Sequence, residues 1–297
     1  MKTPYIIAEI GSNCFKWENP LLNLNNAKEQ IEKAALAGAD AVKFQFFTSR
    51  DLWGPKCKDQ GFAIAQEFYS MPRQWLPALA KKCMMQKVDF LCSAFSVTGF
   101  EAVEPYVKAH KLASPEINAL DLLDYLGKSK KKTIYSLGCL KDKTWPDQFL
   151  RGNDIILECI SEYPADPTHY NLFLTKMLAE HHSCRWGISD HTNVMWLAQM
   201  ARALGASVFE RHVDFTDAFG RQSPDAVVSC STETFRRYVK TIRNQKVIKF
   251  DDIKNGPSGR LSARRHGKGQ HMGFYRPYPE GERTQDGVGL RIQKGEE

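Results

Sequence analysis

The chain has no CxxC pair: its eight cysteines, Cys14, Cys57, Cys83, Cys92, Cys139, Cys159, Cys184 and Cys230, are scattered along the sequence. That excludes the tight ligand spacing of a structural zinc site and the ladder of a disulfide-stapled fold. Reduced thiols are expected. No apolar stretch approaches the roughly 18 residues that cross a bilayer, and no leader pattern precedes the first apolar run. A cytoplasmic protein with no membrane partner is the expectation. Internal repeats and low-complexity tracts are missing too. What is present is 42% hydrophobic content over 297 residues, enough for one large single-core domain and too much for disorder throughout. A formal charge of +7 suits a nucleic acid or a small polyanionic substrate equally, so where the charge sits matters more than its sum.

Short apolar or β-branched runs alternate with helical patterns. Strands are predicted at 5–9, 41–47, 88–93, 110–114, 133–137, 154–160, 185–189 and 207–212. The clearest helix is 193–206, where Val194, Leu197, Ala198, Ala201 and Leu204 fall on one stripe at i, i+3, i+4, i+7 spacing. Others are predicted at 25–37, 72–86, 97–108, 119–127, 168–181 and 231–245, with a short, ill-defined segment after the fifth strand. Strands apolar on both faces alternating with amphipathic helices indicate a parallel sheet. Eight such units in about 250 residues indicate an α/β fold closed into a (β/α)8 TIM barrel. From residue 252 the character changes: nine of the twenty glycines lie between Gly256 and Gly295, and no acidic residue occurs from 254 to 279. We therefore divide the chain into a barrel domain, 1–251, and a Gly-rich basic extension, 252–297.

Barrel chemistry sits at the C-terminal mouth of the strands, so polar residues that end apolar strands are the candidates. Glu9, Lys43, Gln45, Ser93, Lys111, Ser114, Glu116, Ser136, Ser161, Tyr163, Ser189, His191, Glu210 and His212 all lie there. A lysine set in Ala-Val-Lys-Phe-Gln is expensive to bury without an anionic partner, which is either an internal carboxylate or a bound anion. Two lysines and several serines around one mouth suit a phosphate, since charge-assisted hydrogen bonds contribute about 1.5 to 3 kcal/mol each. His191 and His212 end neighbouring strands and are placed to share a metal, although imidazole donors alone do not choose between metals. Glu210 shares a strand face with His212 and is placed to complete the shell or act as a base. His110, His181 and His182 read as ordinary core or surface histidines.

Six segments, Ile-Ile-Ala-Glu-Ile-Gly-Ser-Asn (6–13), Gly-Ala-Asp-Ala-Val-Lys-Phe-Gln (38–45), Lys-Leu-Ala-Ser-Pro-Glu-Ile (111–117), Ser-Glu-Tyr-Pro-Ala (161–165), Ser-Asp-His-Thr (189–192) and Phe-Glu-Arg-His (209–212), together resemble the sialic acid synthase (N-acetylneuraminate synthase) family over about residues 5–245. The resemblance implies a barrel enzyme, a transferase that condenses phosphoenolpyruvate with an N-acylated hexosamine aldehyde to give a nonulosonic acid and phosphate. It implies that Lys43, Ser93, Lys111, Ser114, Ser136 and Ser189, with Ser161 beside them, hold phosphoenolpyruvate. It implies that His191 and His212 bind a divalent metal, manganese or magnesium, and that Glu9, Gln45, Glu116, Tyr163 and Asp225 serve the sugar or the catalysis. Glu116 and Glu9 are the carboxylates expected to aid water addition.

Two departures bear on the acceptor. Where such enzymes read Ser-Asn-His followed by Gly, this chain reads Asn13-Cys14-Phe15-Lys16-Trp17, so the loop over the first strand is changed. The resemblance also covers the barrel without the antifreeze-like domain that typically follows it. Arg260, Arg264, Arg265 and Arg276 of the extension are then expected to form a shortened lid over a neighbouring mouth in a homodimer. Two other readings stand beside the first: the same phosphoenolpyruvate and metal chemistry on a different aldehyde, and a non-catalytic barrel whose tail binds nucleic acid or protein.

Overall fold

The structure, a computed structural model, describes residues 3–52, 67–140, 149–216 and 220–246. The extension from 252, with Arg260, Arg264, Arg265 and Arg276, lies outside the described residues, as does 141–148 after the fifth strand. Eight parallel strands close into a barrel in sequence order: β1 (Tyr5–Glu9), β2 (Ala41–Phe46), β3 (Asp89–Ala94), β4 (His110–Leu112), β5 (Thr133–Ser136), β6 (Ile155–Cys159), β7 (Arg185–Asp190) and β8 (Val208–His212). Every predicted strand is present within two residues at each end. The surrounding helices are α1 (Pro20–Leu36), α2 (Leu76–Met85), α3 (Val97–Val103), α4 (Leu120–Lys128), α5 (Leu172–His181), α6 (Trp196–Ala203) and α7 (Thr232–Asn244).

Two helix boundaries differ from expectation by five residues, for local reasons. Helix α1 begins at Pro20, not 25, because the Asn19 side chain accepts from the Leu21 amide and Pro20 suits the first turn. Helix α3 ends at Val103, not 108, because Pro105 has no N–H with which to continue the ladder. In α6, Leu197, Ala198 and Ala201 are buried, with Val194 and Leu204 packed on the same core, as the stripe predicts.

Alternation along the strands separates two apolar regions. One lies between sheet and helices; the other, Ile7, Ala41, Leu91, Ala109, Ile134, Ile155, Leu157 and Val208, fills the lower barrel interior. Two residues on from these, the inward positions turn polar: Glu9, Lys43, Ser93, Lys111, Ser136 and Glu210. The barrel is thus plugged with hydrocarbon below and opens into charge above. Helix α7 runs the other way, and Arg243 at its end bonds the Gly38 carbonyl and Asp40, which precede β2. Residue 246 therefore lies near the end of the barrel opposite the mouth. No helix among the described residues is long and apolar enough to cross a membrane.

Candidate active site

A cleft opens at the C-terminal ends of the strands, with about 710 Å³ of free space counting the open solvent at its mouth. Its wall carries Lys43, Gln45, Ser93, Lys111, Ser114, Ser136, Ser161, Tyr163, Ser189, His191, Glu210, His212 and Asp225. Of the residues proposed from sequence, two stand off the wall. Glu116 is buried in the short 3-10 turn Ser114–Glu116, and Glu9 is fully buried behind Lys43. Phe95, Cys159 and Pro224 also line the space and carried no sequence signal.

The two lysines have different surroundings. Lys43 pairs with Glu9, lies 3.7 Å from Glu210 and donates to Ser93 Oγ at 3.0 Å. The internal carboxylate that the sequence left as one alternative is therefore present. Burial works to lower the Lys43 pKa, but Glu210 and Glu9 outweigh it and hold the ammonium charged. Lys111 donates to Ser136 Oγ at 2.8 Å and the Leu112 carbonyl at 3.1 Å, with Glu210 at 3.8 Å, and burial pulls its pKa down. Because each serine accepts from a lysine, its own proton is left to donate elsewhere. Ser114 and Ser161 pair at 2.6 Å on the same wall.

Two carboxylates compete for this positive charge. Burial pushes against ionising Glu210, yet Lys111 and Lys43 bring it down to about 2. Glu9, burial dominating, is pushed up to about 7 from an ordinary 4.5. Folded Glu9 therefore holds its proton more tightly than unfolded Glu9, and it contributes stability below about pH 4.5 that is lost as pH rises to about 7. Glu9→Gln removes this dependence. Relative to wild type the variant should gain about 3 kcal/mol between those limits, apart from a constant offset for the lost pair. Urea midpoints at pH 4.5 and 7.5 read the difference directly, and parallel wild-type and variant profiles would refute the shift.

The two histidines meet as their strands suggested, with ring centroids 5.3 Å apart. His191 Nδ1 lies 2.6 Å from the Ile160 carbonyl, so Nδ1 carries the proton and Nε2 keeps its lone pair. Both Nε2 atoms face the Tyr163 hydroxyl, at 3.5 Å and 3.4 Å. Burial lowers both pKa values, that of His212 to about 4, so both rings are neutral at pH 7. Two converging neutral imidazoles, one with its tautomer fixed from behind, fit a divalent cation. Among the described residues no third His, Cys, Asp or Glu completes a protein-only ligand set, so any further ligands come from substrate or water.

Asp225 reaches the wall on the 3-10 turn Pro224–Val228. Its Oδ2 accepts from the Ser12 amide at 2.9 Å, Ser12 Oγ at 2.6 Å and Gln45 Nε2 at 3.4 Å, while Oδ1 stands 3.8 Å from His212 Nδ1. Gly11 makes this possible: at φ +53° its Cα lies where a Cβ would sit 2.5 Å from Asp225 Oδ2 and 2.8 Å from Glu9 Oε1. The altered loop after it is buried and cross-linked. Asn13 donates to the Val213 carbonyl and Ser229 Oγ and accepts from Ser223 Oγ, and Lys16 pairs with Asp214 at 2.6 Å. The loop is thereby stitched to the segment that carries Asp225. Ser12 is a site residue that the sequence reading missed, though it stands inside the quoted 6–13 motif.

The NeuB family model matches residues 30–254 of the chain. The chain belongs to the NeuB family. It is 31% identical over 277 residues to the N,N'-diacetyllegionaminic acid synthase of Campylobacter jejuni, spanning 86% of this chain and 80% of that one. It is 30% identical over 267 residues to the pseudaminic acid synthase of Helicobacter pylori, spanning 82% and 74%. In fold it matches the N-acetylneuraminic acid synthetase of Leptospira borgpetersenii, with TM-score 0.71 and 24% identity over 85% of this chain and 89% of that one. This NeuB-family chain is thus a sialic acid synthase-like enzyme on a (β/α)8 barrel, and the resemblance read from six short segments holds across most of its length.

Proposed function

We propose that this enzyme joins C3 of phosphoenolpyruvate to the aldehyde carbon of an N-acylhexosamine, takes up one water at C2 and releases phosphate, giving a nonulosonic acid. The observation that carries the reading is the pairing of Lys43 and Lys111 with serine hydroxyls on the wall that also holds the histidine pair. The lysines neutralise the phosphate and carboxylate, and Ser93, Ser136, Ser114, Ser161 and Ser189 donate to their oxygens. His191 and His212 would hold a divalent cation, manganese or magnesium, which when bound supplies Lewis acidity toward an aldehyde oxygen.

Gln45, Tyr163 and Asp225 line the remaining wall and receive the sugar. For the water, the carboxylates implied by resemblance, Glu9 and Glu116, stand behind the wall, whereas Glu210 is on it. Its Oε2 is buried without a hydrogen-bond partner among the described residues, and its low pKa keeps it an ionised acceptor that orients the water. Glu9 serves by holding Lys43. The relatives' names refer to several different sugar acids, and the stitched β1 loop leaves open a different acceptor with the same chemistry. The unpaired cysteines among the described residues agree with a cytoplasmic enzyme.

The test is phosphate release on mixing the enzyme with phosphoenolpyruvate, Mn²⁺ and a panel of aldoses: N-acetylmannosamine, its 6-phosphate and 2,4-diacetamido-trideoxyhexoses. Acceptor-dependent release with at least one N-acylhexosamine is expected. Release with none of them but with a simple aldose supports the other-acceptor reading, and no acceptor-dependent release at all sinks the condensation.

A further inference from the structure

The wall residues of β7 and β8 alternate with charged residues that face away from the cavity. Ser189 and His191 bracket Asp190, and Glu210 and His212 bracket Arg211. Asp190 and Arg211 are directly opposite in the strand register, and theirs is the last pair of the β7–β8 ladder. Behind the sheet they form a buried network. Arg211 Nη1 donates to Asp190 Oδ2 at 2.8 Å and Nη2 to the Thr192 carbonyl at 2.9 Å. Asp190 Oδ1 accepts from the Thr192 amide at 2.9 Å and its hydroxyl at 2.7 Å. The guanidinium lies 5.0 Å from the centre of the Tyr238 ring, which α7 presses onto it.

Stability alone does not explain this choice. A buried ion pair offsets its desolvation only with good geometry, and packed apolar residues of similar volume often do as well or better. Nor is it needed for register below, where ladder bonds already hold β7 to β8 and the strands approach so closely that a Cβ on Gly187 would sit 1.7 Å from the Val208 carbonyl oxygen. What the ladder cannot fix is the end. His191 lies one residue beyond β7 and His212 is the last residue of β8, so neither is held by the β7–β8 ladder itself.

We propose that Asp190 and Arg211 are positioning residues for the two histidines. Their ion pair on the outer face sets the separation of the imidazoles on the inner face, and so the affinity for a divalent cation. The inference rests on the metal role given to those histidines above.

Asp190→Asn keeps the shape and loses the charge; Arg211→Lys keeps the charge and loses the second contact to Thr192. Each should weaken Mn²⁺ binding, followed by the EPR signal of the free ion, by about tenfold to a hundredfold. Phosphoenolpyruvate affinity measured in EDTA should change less than about threefold, because Lys43 and Lys111 stand on β2 and β4 and Ser189 is the one proposed anion donor on β7. The apolar pair Asp190→Leu with Arg211→Met should fold as stably as wild type by thermal melt, yet hold Mn²⁺ as weakly as the single variants. Should that double variant bind Mn²⁺ like wild type, the pair is packing and the proposal fails; it fails also if both ligands weaken equally. If wild type itself takes up no Mn²⁺, the metal reading is wrong, and the imidazole ¹⁵N spectrum decides separately. One sharp neutral tautomer for each ring in wild type and exchange-broadened signals in the variants support positioning, and unchanged spectra overturn it.

Discussion

His191→Ala or His212→Ala should each abolish measurable condensation while leaving the barrel folded. Both imidazoles are buried and neutral, and their Nε2 atoms face a shared point near the Tyr163 hydroxyl. Removing either leaves one ring, and a single imidazole does not hold Mn²⁺ or Mg²⁺ at ordinary concentrations, since these hard ions bind nitrogen donors weakly. Loss of a ligand is thus expected to weaken Mn²⁺ binding well beyond the hundredfold of a supporting residue. The fold should survive because neither ring is a major part of either hydrophobic cluster. Titration with Mn²⁺ and a phosphate-release assay check the two halves. Full activity in either variant, or full wild-type activity after exhaustive chelation, would remove the metal from the reaction.

The barrel was legible because its signal is repeated eight times. Each strand is a largely apolar run with polar residues in or just beyond its C-terminal half, and in a closed parallel barrel those halves meet at one mouth. That is why Lys43, Lys111, Ser93, Ser136, Ser189, His191 and His212 could be brought to one mouth from sequence although up to 169 positions separate them. The limits lie where a later segment covers an earlier one. Glu9 ends its strand as visibly as Glu210 does, but the turn Gly11–Cys14 and the Ser12–Asp225 bonds fold over it, and nothing local to residues 5–9 reports that roof. Asp190 and Arg211 fail in the opposite sense. Alternation points them away from the cavity, where charged residues usually meet water, yet α7 covers them, and only the tertiary packing of Tyr238 shows it.

The two lysines should separate when mutated, because one is also a structural counter-ion. Lys111 has hydroxyl and carbonyl partners and no carboxylate nearer than Glu210 at 3.8 Å. Lys111→Met should therefore cost less stability than Lys43→Met, since Glu210 keeps Lys43 at 3.7 Å, and should weaken phosphoenolpyruvate binding by about 2 to 5 kcal/mol, the range for losing one member of a desolvated charge contact. Lys43→Met should lose similar affinity and, in addition, up to about 3 to 5 kcal/mol of stability at pH 8, where Glu9, without the ammonium that favours its ionised form, must stay buried as an unpaired charge or take up a proton that the unfolded chain does not carry. Adding Glu9→Gln removes that stranded charge, so Lys43→Met/Glu9→Gln should recover most of the stability while phosphoenolpyruvate binding stays weak. Chemical denaturation and isothermal titration on the same three proteins give both quantities. Recovery of affinity along with stability in the double variant would mean that Lys43 exists to neutralise Glu9 and that the anion is held elsewhere. Persistent weak binding on a restored fold is the result expected of a lysine that meets the substrate itself.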